Sequence, residues 1–134
     1  MTLTIPGRLP GMNEIIAAAK LRKRNYKEYA VMKDKNTEQV AWLAIQSHIP
    51  RFEKAYFIIT WYEPDLRRDP DNIMGGQKFI MDGLVQAGVI PNDSQKYILG
   101  IYHRFMVDRK NPRIEVEIRG VKDSGALEGQ ELFD

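Results

Sequence analysis

The chain has 134 residues and a formal net charge of +2, which indicates one domain and by itself predicts no charged partner. Because 43% of the residues are hydrophobic and none is cysteine, the composition excludes disorder as the default, and it excludes disulfides and thiolate metal sites. No run approaches the roughly 20 apolar residues of a membrane span, and the N-terminus does not resemble a secretory signal. We therefore expect a cytoplasmic protein without a membrane partner.

The first half of the chain predicts one short strand, helical segments and one long strand. Residues 1–5 alternate as a strand, and prolines and glycines over 6–11 interrupt it. Helical fragments are predicted around 14–21, followed by a basic, partly mobile stretch, and a helix is predicted over about 36–48. Residues 54–63 are aromatic and β-branched on both faces, which favours a central strand.

The second half predicts a helix between strands. The apolar spacing over 76–87 predicts a helix, and Gly88 follows where a left-handed C-cap is expected. A strand is predicted over about 96–107, and residues 108–112 are predicted to form a hairpin loop. The strand over 113–119 alternates between apolar and charged residues, which is typical of a half-buried antiparallel strand.

This order of elements predicts an α+β domain with a mixed sheet over residues 1–120. Residues 121–134 are predicted to be a flexible acidic tail. Near its end, Leu132 and Phe133 loosely resemble the peptides that bind bacterial sliding clamps, so a replication-protein partner is one interpretation. A terminus without function is the alternative.

A basic segment extends from Lys20 to Lys35 in a chain that is otherwise nearly neutral. Its basic residues are Lys20, Arg22, Lys23, Arg24, Lys27, Lys33 and Lys35. Such a segment favours a surface that faces a polyanion, although a solvated lysine-rich face is the alternative. We predict DNA contacts from Lys20, Arg22, Lys23, Arg24 and Lys27.

The residues with the strongest chemical signal are Asp69, Asp71 and Asp93. In extended backbone, side chains two residues apart project to the same side, and Pro70 favours that geometry at Asp69. Paired carboxylates repel each other unless a cation intervenes, and Mg²⁺ is commonly held by one or two carboxylates with phosphate oxygens. Asp93 can join the pair if the strand that follows it returns to the same end of the sheet. Asn72 is predicted to cap the next helix or turn.

Local alternatives remain open for these residues. The tetrapeptide D-x-D-N also suits a turn that caps a helix. Arg67 and Arg68 stand beside the acids, where they could hold a phosphodiester. Lys78 could stabilise charge that develops on a phosphate, or it could form an ordinary i,i+4 ion pair with Asp82.

A resemblance to a known family adds to this interpretation. Residues 67–94 read RRDPDNIMGGQKFIMDGLVQAGVIPNDS, and residues 9–14 read LPGMNE. The spaced pattern of arginines, D-x-D-N, a lysine on the next helix, D-x-L-x-x-A-G and a closing Asp resembles the RusA family of Holliday-junction resolvases. The match is strong over 66–95, and the general layout extends over 1–119. One departure is a wider gap before the lysine, which Met74-Gly75-Gly76 fills.

The resemblance implies a homodimeric, Mg²⁺-dependent endonuclease that makes paired symmetric nicks in four-way DNA junctions, with Mn²⁺ as a possible substitute. The implied catalytic residues are Asp69, Asp71, Asp93 and Lys78, and the three aspartates are the implied metal ligands. Arg68 and Asn72 match supporting positions, and with Arg67 they are predicted to contact DNA. The alternative function is a branched-DNA-binding module that uses the 20–35 segment without catalysis.

Overall fold

Strands and helices are interspersed along the chain, and the computed structural model describes them over residues 1–20 and 27–121. The elements are β1 (Thr2–Pro6), α1 (Met12–Lys20), α2 (Lys27–Gln46), β2 (Ala55–Glu63), α3 (Pro70–Met74), α4 (Gln77–Gln86), β3 (Ile98–Val107) and β4 (Arg113–Gly120). The α+β class with a mixed sheet is therefore confirmed. Within these described residues, no helix is long and apolar enough to cross a membrane.

The four strands form one sheet with the order β1-β4-β2-β3. Strand β2 pairs in parallel with β3 and antiparallel with β4, and β4 pairs antiparallel with β1. The central position of β2 agrees with its burial on both faces and with its apolar sequence. In β4 the apolar residues Ile114, Val116 and Ile118 are buried and alternate with half-buried charged residues, as predicted.

The predicted hairpin over 108–112 is wrong. Strands β3 and β4 are consecutive in the chain, yet β2 lies between them, so residues 108–112 cross the end of β2. Neighbouring strands lie about 4.8 Å apart, and a connection of five residues easily spans two such spacings. The backbone N–H of Asp108 donates to the Glu63 carbonyl at 2.8 Å, which fixes this crossing at the end of β2. Strand β3 cannot pair with β4 because β2, which is buried on both faces, lies between them.

Helix α2 is longer than predicted. It begins at Lys27 instead of near residue 36, so residues 27–35 of the basic segment are helical. This stretch contains no glycine or proline, and its Lys, Glu, Ala and Met residues favour helix. Arg22, Lys23 and Arg24 lie outside the described residues, as does the predicted tail from residue 122 onward. Val121 itself is buried, and its N–H donates to the Lys54 carbonyl at 2.9 Å.

Helices α2 and α4 pack closely because Gly83 faces Val40. A Cβ at Gly83 would lie 2.6 Å from Val40 Cγ1 and 3.0 Å from the Thr37 carbonyl oxygen. Val40, Ala44, Phe79, Ile80 and Leu84 form the helical side of the core against the sheet. The two helices thus approach at a distance that only a residue without a side chain permits.

We expect Gly83→Ala to lower the free energy of unfolding by about 1–3 kcal/mol, because the added methyl overpacks the helix contact. In an unobstructed helix the same change would instead stabilise by about 0.5–1 kcal/mol. Val40→Ala removes Cγ1 but keeps the Cβ, which would lie 2.5 Å from the added methyl, so the double variant should relieve only part of the clash and lose only slightly less than the sum of the single variants. Urea unfolding measures the stability of the two single variants and the double variant. A Gly83→Ala protein that is more stable than wild type would contradict the close packing of α2 against α4.

Candidate active site

A buried carboxylate marks the end of β2, where the chain leaves the sheet for the aspartates. Glu63 is 5% exposed, and Arg68 donates to its two oxygens from Nε and Nη2, both at 2.9 Å. Arg8 Nη2 adds a third donor at 3.3 Å, and Arg68 Nη1 also donates to the Leu9 carbonyl. A buried charge requires such partners. The bidentate pair with Glu63 therefore fixes the position of Arg68, the residue immediately before Asp69.

Asp69 caps a helix that the sequence prediction missed. Its backbone is extended, with φ −80° and ψ 165°, and its side chain accepts the N–H of Asn72 at 3.2 Å. Pro70 occupies the first turn of α3, where a missing N–H has no cost. Asp71 therefore lies in a helical turn, so the alternation argument that paired it with Asp69 in extended backbone does not apply. The helix-capping alternative describes the local geometry.

Asn72 caps a different helix from the one predicted. Its Oδ1 accepts the backbone N–H of Asn13 at 2.9 Å, so it satisfies an N-terminal donor of α1 and not of α3. The loop before α1 comes so close that a Cβ at Gly11 would lie 2.7 Å from the Asn72 carbonyl oxygen. A Cβ at Gly75 would lie 2.8 Å from Met12 Cα. The N-terminal loop and the D-x-D-N segment therefore form one packed unit.

The predicted DNA-contacting residues differ in how accessible they are. Arg67 has 90% of its side chain exposed and lies 3.6 Å from Asp65, so its guanidinium is available to a ligand. Arg68 is 12% exposed, and its N–H groups are directed at protein acceptors, in contrast to the phosphate contact predicted for it. Lys20 and Lys27 are exposed at the ends of α1 and α2. Arg22, Lys23 and Arg24 cannot be placed because they lie outside the described residues.

A cavity of about 490 Å³ lies between α4, the start of α1 and the edge strand β3. Its polar lining comes from Gln77, Lys78, Asp82, Asp93 and Gln95, and its apolar lining includes Met12, Met74, Met81, Ile98 and Ile101. The cavity therefore combines two acids with one lysine. Asp69 and Asp71 are not part of this wall, although α3, which carries Asp71, ends at Met74 within it.

Lys78 and Asp82 form the i,i+4 pair that the sequence offered as one alternative. Nζ of Lys78 lies 3.3 Å from Oδ2 of Asp82. Among the residues that the structure describes, no donor makes a hydrogen bond to this buried oxygen. We interpret the contact as electrostatic, because the ammonium is close but not aligned with the carboxylate. With 48% of its side chain exposed, Lys78 can also approach a ligand in the cavity.

Asp93 reaches the cavity by a route that differs from the predicted one. The parallel register pairs Ala55 with Ile98, so β3 begins beside the start of β2. The residue just before β3 therefore lies at the opposite end of the sheet from Glu63. The prediction that Asp93 returns to the end of the sheet where Asp69 and Asp71 follow β2 is wrong. Asp93 instead lies on the loop between α4 and β3, exposed, and meets Lys78 and Asp82 across the cavity.

The donor chemistry of this cavity fits a hard divalent cation. Asp82 and Asp93 offer carboxylate oxygens, one of which is buried and has no hydrogen-bond donor in the described part of the chain, and carboxylate oxygens are preferred ligands of Mg²⁺. Among residues 1–20 and 27–121, no three His, Cys, Asp or Glu side chains are grouped to hold a metal. Mg²⁺ commonly takes only one or two carboxylates and completes its shell with phosphate oxygens and water. The two acids are thus compatible with such an ion.

The sequence reasoning missed Glu63 and Gln77. The available signal for Glu63 was a charged residue at the end of a strand that is apolar on both faces, followed by two arginines. An acid in that position has to find a cation to be buried. For Gln77 the local sequence carries no comparable signal, because its hydrogen-bond partner is 26 residues away, at His103.

We expect Glu63→Ala to lower the free energy of unfolding by about 3–5 kcal/mol, because Arg68 would remain buried without its counter-ion. The double variant Glu63→Leu/Arg68→Met should recover part of this loss. Glu53→Ala removes an exposed pair with Arg51 and should change stability by less than about 1 kcal/mol. Equal effects of the Glu63 and Glu53 variants in denaturant unfolding would refute the anchoring role.

Comparison with known proteins agrees with this geometry. A profile of the family described as endodeoxyribonuclease RusA matches residues 14–119, which is most of the 134-residue chain. No curated protein matches the chain. The matched region holds β2 to β4, the buried Glu63–Arg68 pair, the D-x-D-N segment and the cavity, so the resemblance seen in the sequence is confirmed. The chain belongs to the RusA endodeoxyribonuclease family.

Proposed function

We propose that the protein is a Mg²⁺-dependent endodeoxyribonuclease that resolves four-way DNA junctions by paired symmetric nicks. The observation that carries the proposal is the cavity in which Lys78 faces the carboxylates of Asp82 and Asp93, inside the region that matches the family. Acids and a lysine at one surface suit a divalent cation and a phosphodiester together. We expect Mn²⁺ to substitute for Mg²⁺.

The proposed metal ligands are Asp69, Asp71 and Asp93. When bound, the ion supplies Lewis acidity towards the scissile phosphate. Lys78 stabilises negative charge on the phosphate or on the leaving oxygen. Asp69 and Asp71 precede Met74, the residue at the end of α3 that lines the cavity together with Asp93. Arg68 and Asn72 hold this segment in place through Glu63 and α1.

Basic residues around the cavity supply the proposed DNA contacts. Arg67 is almost fully exposed beside the acids. Helix α1 begins at Met12 in the cavity wall and ends at Lys20, which is about 12 Å along the axis at 1.5 Å per residue. Lys27 begins α2 with its side chain exposed. In the proposed complex these cations would compensate the repulsion between phosphates and the acidic cavity.

A homodimer is the proposed assembly, because two equivalent sites match the two-fold symmetry of a four-way junction. Strand β3 forms one edge of the sheet, and it carries apolar and aromatic residues that are 37–51% exposed. These residues are Leu99, Tyr102, Phe105, Met106 and Val107. An apolar edge strand is normally protected by a partner, which supports β3 as the contact between two copies.

We expect wild-type protein to sediment as a dimer and Met106→Glu to sediment as a monomer, since a charge would be buried at the β3 edge. Thr4→Glu places the same charge on β1, at the opposite edge of the sheet, and should remain dimeric. Analytical ultracentrifugation at several concentrations measures the outcome. A wild type that is monomeric throughout, or a Met106→Glu variant that dimerises like wild type, would count against this assembly.

The decisive test of the function uses a labelled four-way junction with Mg²⁺ or with EDTA. We expect paired nicks only with Mg²⁺. Asp71→Asn should abolish cutting while junction binding stays equal or becomes tighter, because repulsion between the acid and the phosphate falls. Glu53→Gln removes the same charge at an exposed position away from the cavity and should cut normally. Loss of both binding and cutting in Asp71→Asn would instead give that residue a structural role.

Retardation of the junction without cutting, under any divalent ion, would favour the alternative of a non-catalytic binding module. The family match does not favour that alternative. The cytoplasmic location stays a prediction, and so does the replication-protein partner at Leu132 and Phe133, which lie outside the described residues.

A further inference from the structure

Three side chains form a hydrogen-bonded chain that leads from the core to the cavity. Trp61 is 1% exposed, and its indole Nε1 donates to Nδ1 of His103 at 3.0 Å. The other ring nitrogen of His103, Nε2, lies 3.0 Å from Oε1 of Gln77. The Trp61 and His103 rings are stacked, with centroids 6.1 Å apart. Gln77 in turn lines the cavity beside Lys78.

Only one assignment of donors and acceptors is possible along the hydrogen bonds from Trp61 through His103 to Gln77. An indole N–H donates and cannot accept, so Nδ1 of His103 must carry a lone pair and no proton. A neutral imidazole then bears its proton on Nε2, which donates to the amide oxygen of Gln77. Burial lowers the pKa of His103, which is consistent with a neutral ring. The oxygen of Gln77 is therefore fixed towards His103, and its amide N–H₂ group is directed away from the ring.

The amide nitrogen of Gln77 has no acceptor within the described parts of the chain. A pair of N–H donors at the wall of a cavity that also contains Lys78 suits a non-bridging oxygen of a phosphodiester. The wide gap between D-x-D-N and Lys78, which Met74-Gly75-Gly76 fills, places Gln77 at the first position of α4. The departure from the family pattern thus brings an amide donor next to the lysine.

We propose that Gln77 donates a hydrogen bond from its amide N–H₂ to the scissile phosphate, and that His103 and Trp61 are positioning residues that hold this amide in the donating orientation. The proposal rests on the proposed function, because it assumes that a DNA phosphate enters the cavity. It adds a substrate contact outside the aspartates and Lys78. It also gives a role to the half-buried ring of His103, whose two nitrogens are both hydrogen-bonded.

The first test compares Gln77→Glu with Gln77→Met under single-turnover conditions on the four-way junction. Gln77→Glu keeps an acceptor for His103 but loses the donor, and we expect the cleavage rate to fall about 100- to 1,000-fold, as for loss of one charge-stabilising donor. Gln77→Met lacks both polar groups, and its cleavage rate should fall by a comparable factor. Gln86→Glu adds the same charge to the exposed end of α4 and should cut like wild type. A Gln77→Met protein that cuts at the wild-type rate would overturn the proposal.

A second test addresses His103. The chain has two histidines, so ¹⁵N spectra can resolve both rings, and we expect a protonated Nε2 and an unprotonated Nδ1 at His103. His103→Gln can still donate to Gln77 and should retain more activity than His103→Phe, with the difference in kcat and not in folding. Equal activity of the two variants, or a proton on Nδ1, would refute the positioning role.

Failure of this proposal can be separated from failure of the proposed function. If wild type cuts the junction and Asp71→Asn does not, the Gln77 variants decide the matter directly. If wild type does not cut, the proposed function fails, and the side-chain amide resonance of Gln77 is then followed while junction DNA is added in EDTA. A shift of that resonance that is absent in His103→Phe supports the phosphate contact, and an unchanged resonance overturns it.

Discussion

The end of β2 places a negative charge inside the protein, and the local structure around the site follows from how that charge is satisfied. Glu63 takes two hydrogen bonds from Arg68 and one from Arg8. The Arg68 guanidinium also reaches the Leu9 carbonyl, so the N-terminal loop is held against the connection that leaves the sheet. Since Asp69 follows Arg68 directly, the position of the first acid is set by a buried ion pair and not by loop flexibility. The cost of leaving either charge alone makes this arrangement rigid.

The strands were predictable because their signals are local, whereas their pairing was not. Alternation identified β4, and apolar residues on both faces identified β2 as central. The hairpin prediction failed because a short polar connection between two strand patterns looks the same whether the strands pair or lie on either side of a third. Here the burial of β2 determines the strand order, since its two faces and two edges are covered only when β3 and β4 flank it. That constraint is not local to residues 108–112.

The candidate site was predictable in its residue types and less so in its geometry. Pro70 favours extended backbone before it and helix after it, and the sequence does not decide at which residue the change occurs. The N–H of Asn72 requires an acceptor, and the Asp69 side chain supplies it, so the helix begins at Pro70. The contacts from Asn72 to Asn13, from Trp61 to His103 and from His103 to Gln77 join residues that are 59, 42 and 26 positions apart. No pattern of neighbouring residues encodes them.

The acids of the D-x-D-N segment and the acids of the cavity lie on different elements of the fold. Asp82 and Asp93 line the cavity, while Asp69 caps α3 and Asp71 lies in its first turn. Like charges that are held together without a cation repel one another and repel an approaching phosphate. Because Asp69 and Asp71 do not line the cavity, fewer like charges meet at its wall, and under the proposed function the exposed cations Arg67, Lys20 and Lys27 would attract the DNA backbone. Under the proposed function, a cation and a phosphate oxygen in the cavity would offset the repulsion between the carboxylates that line it.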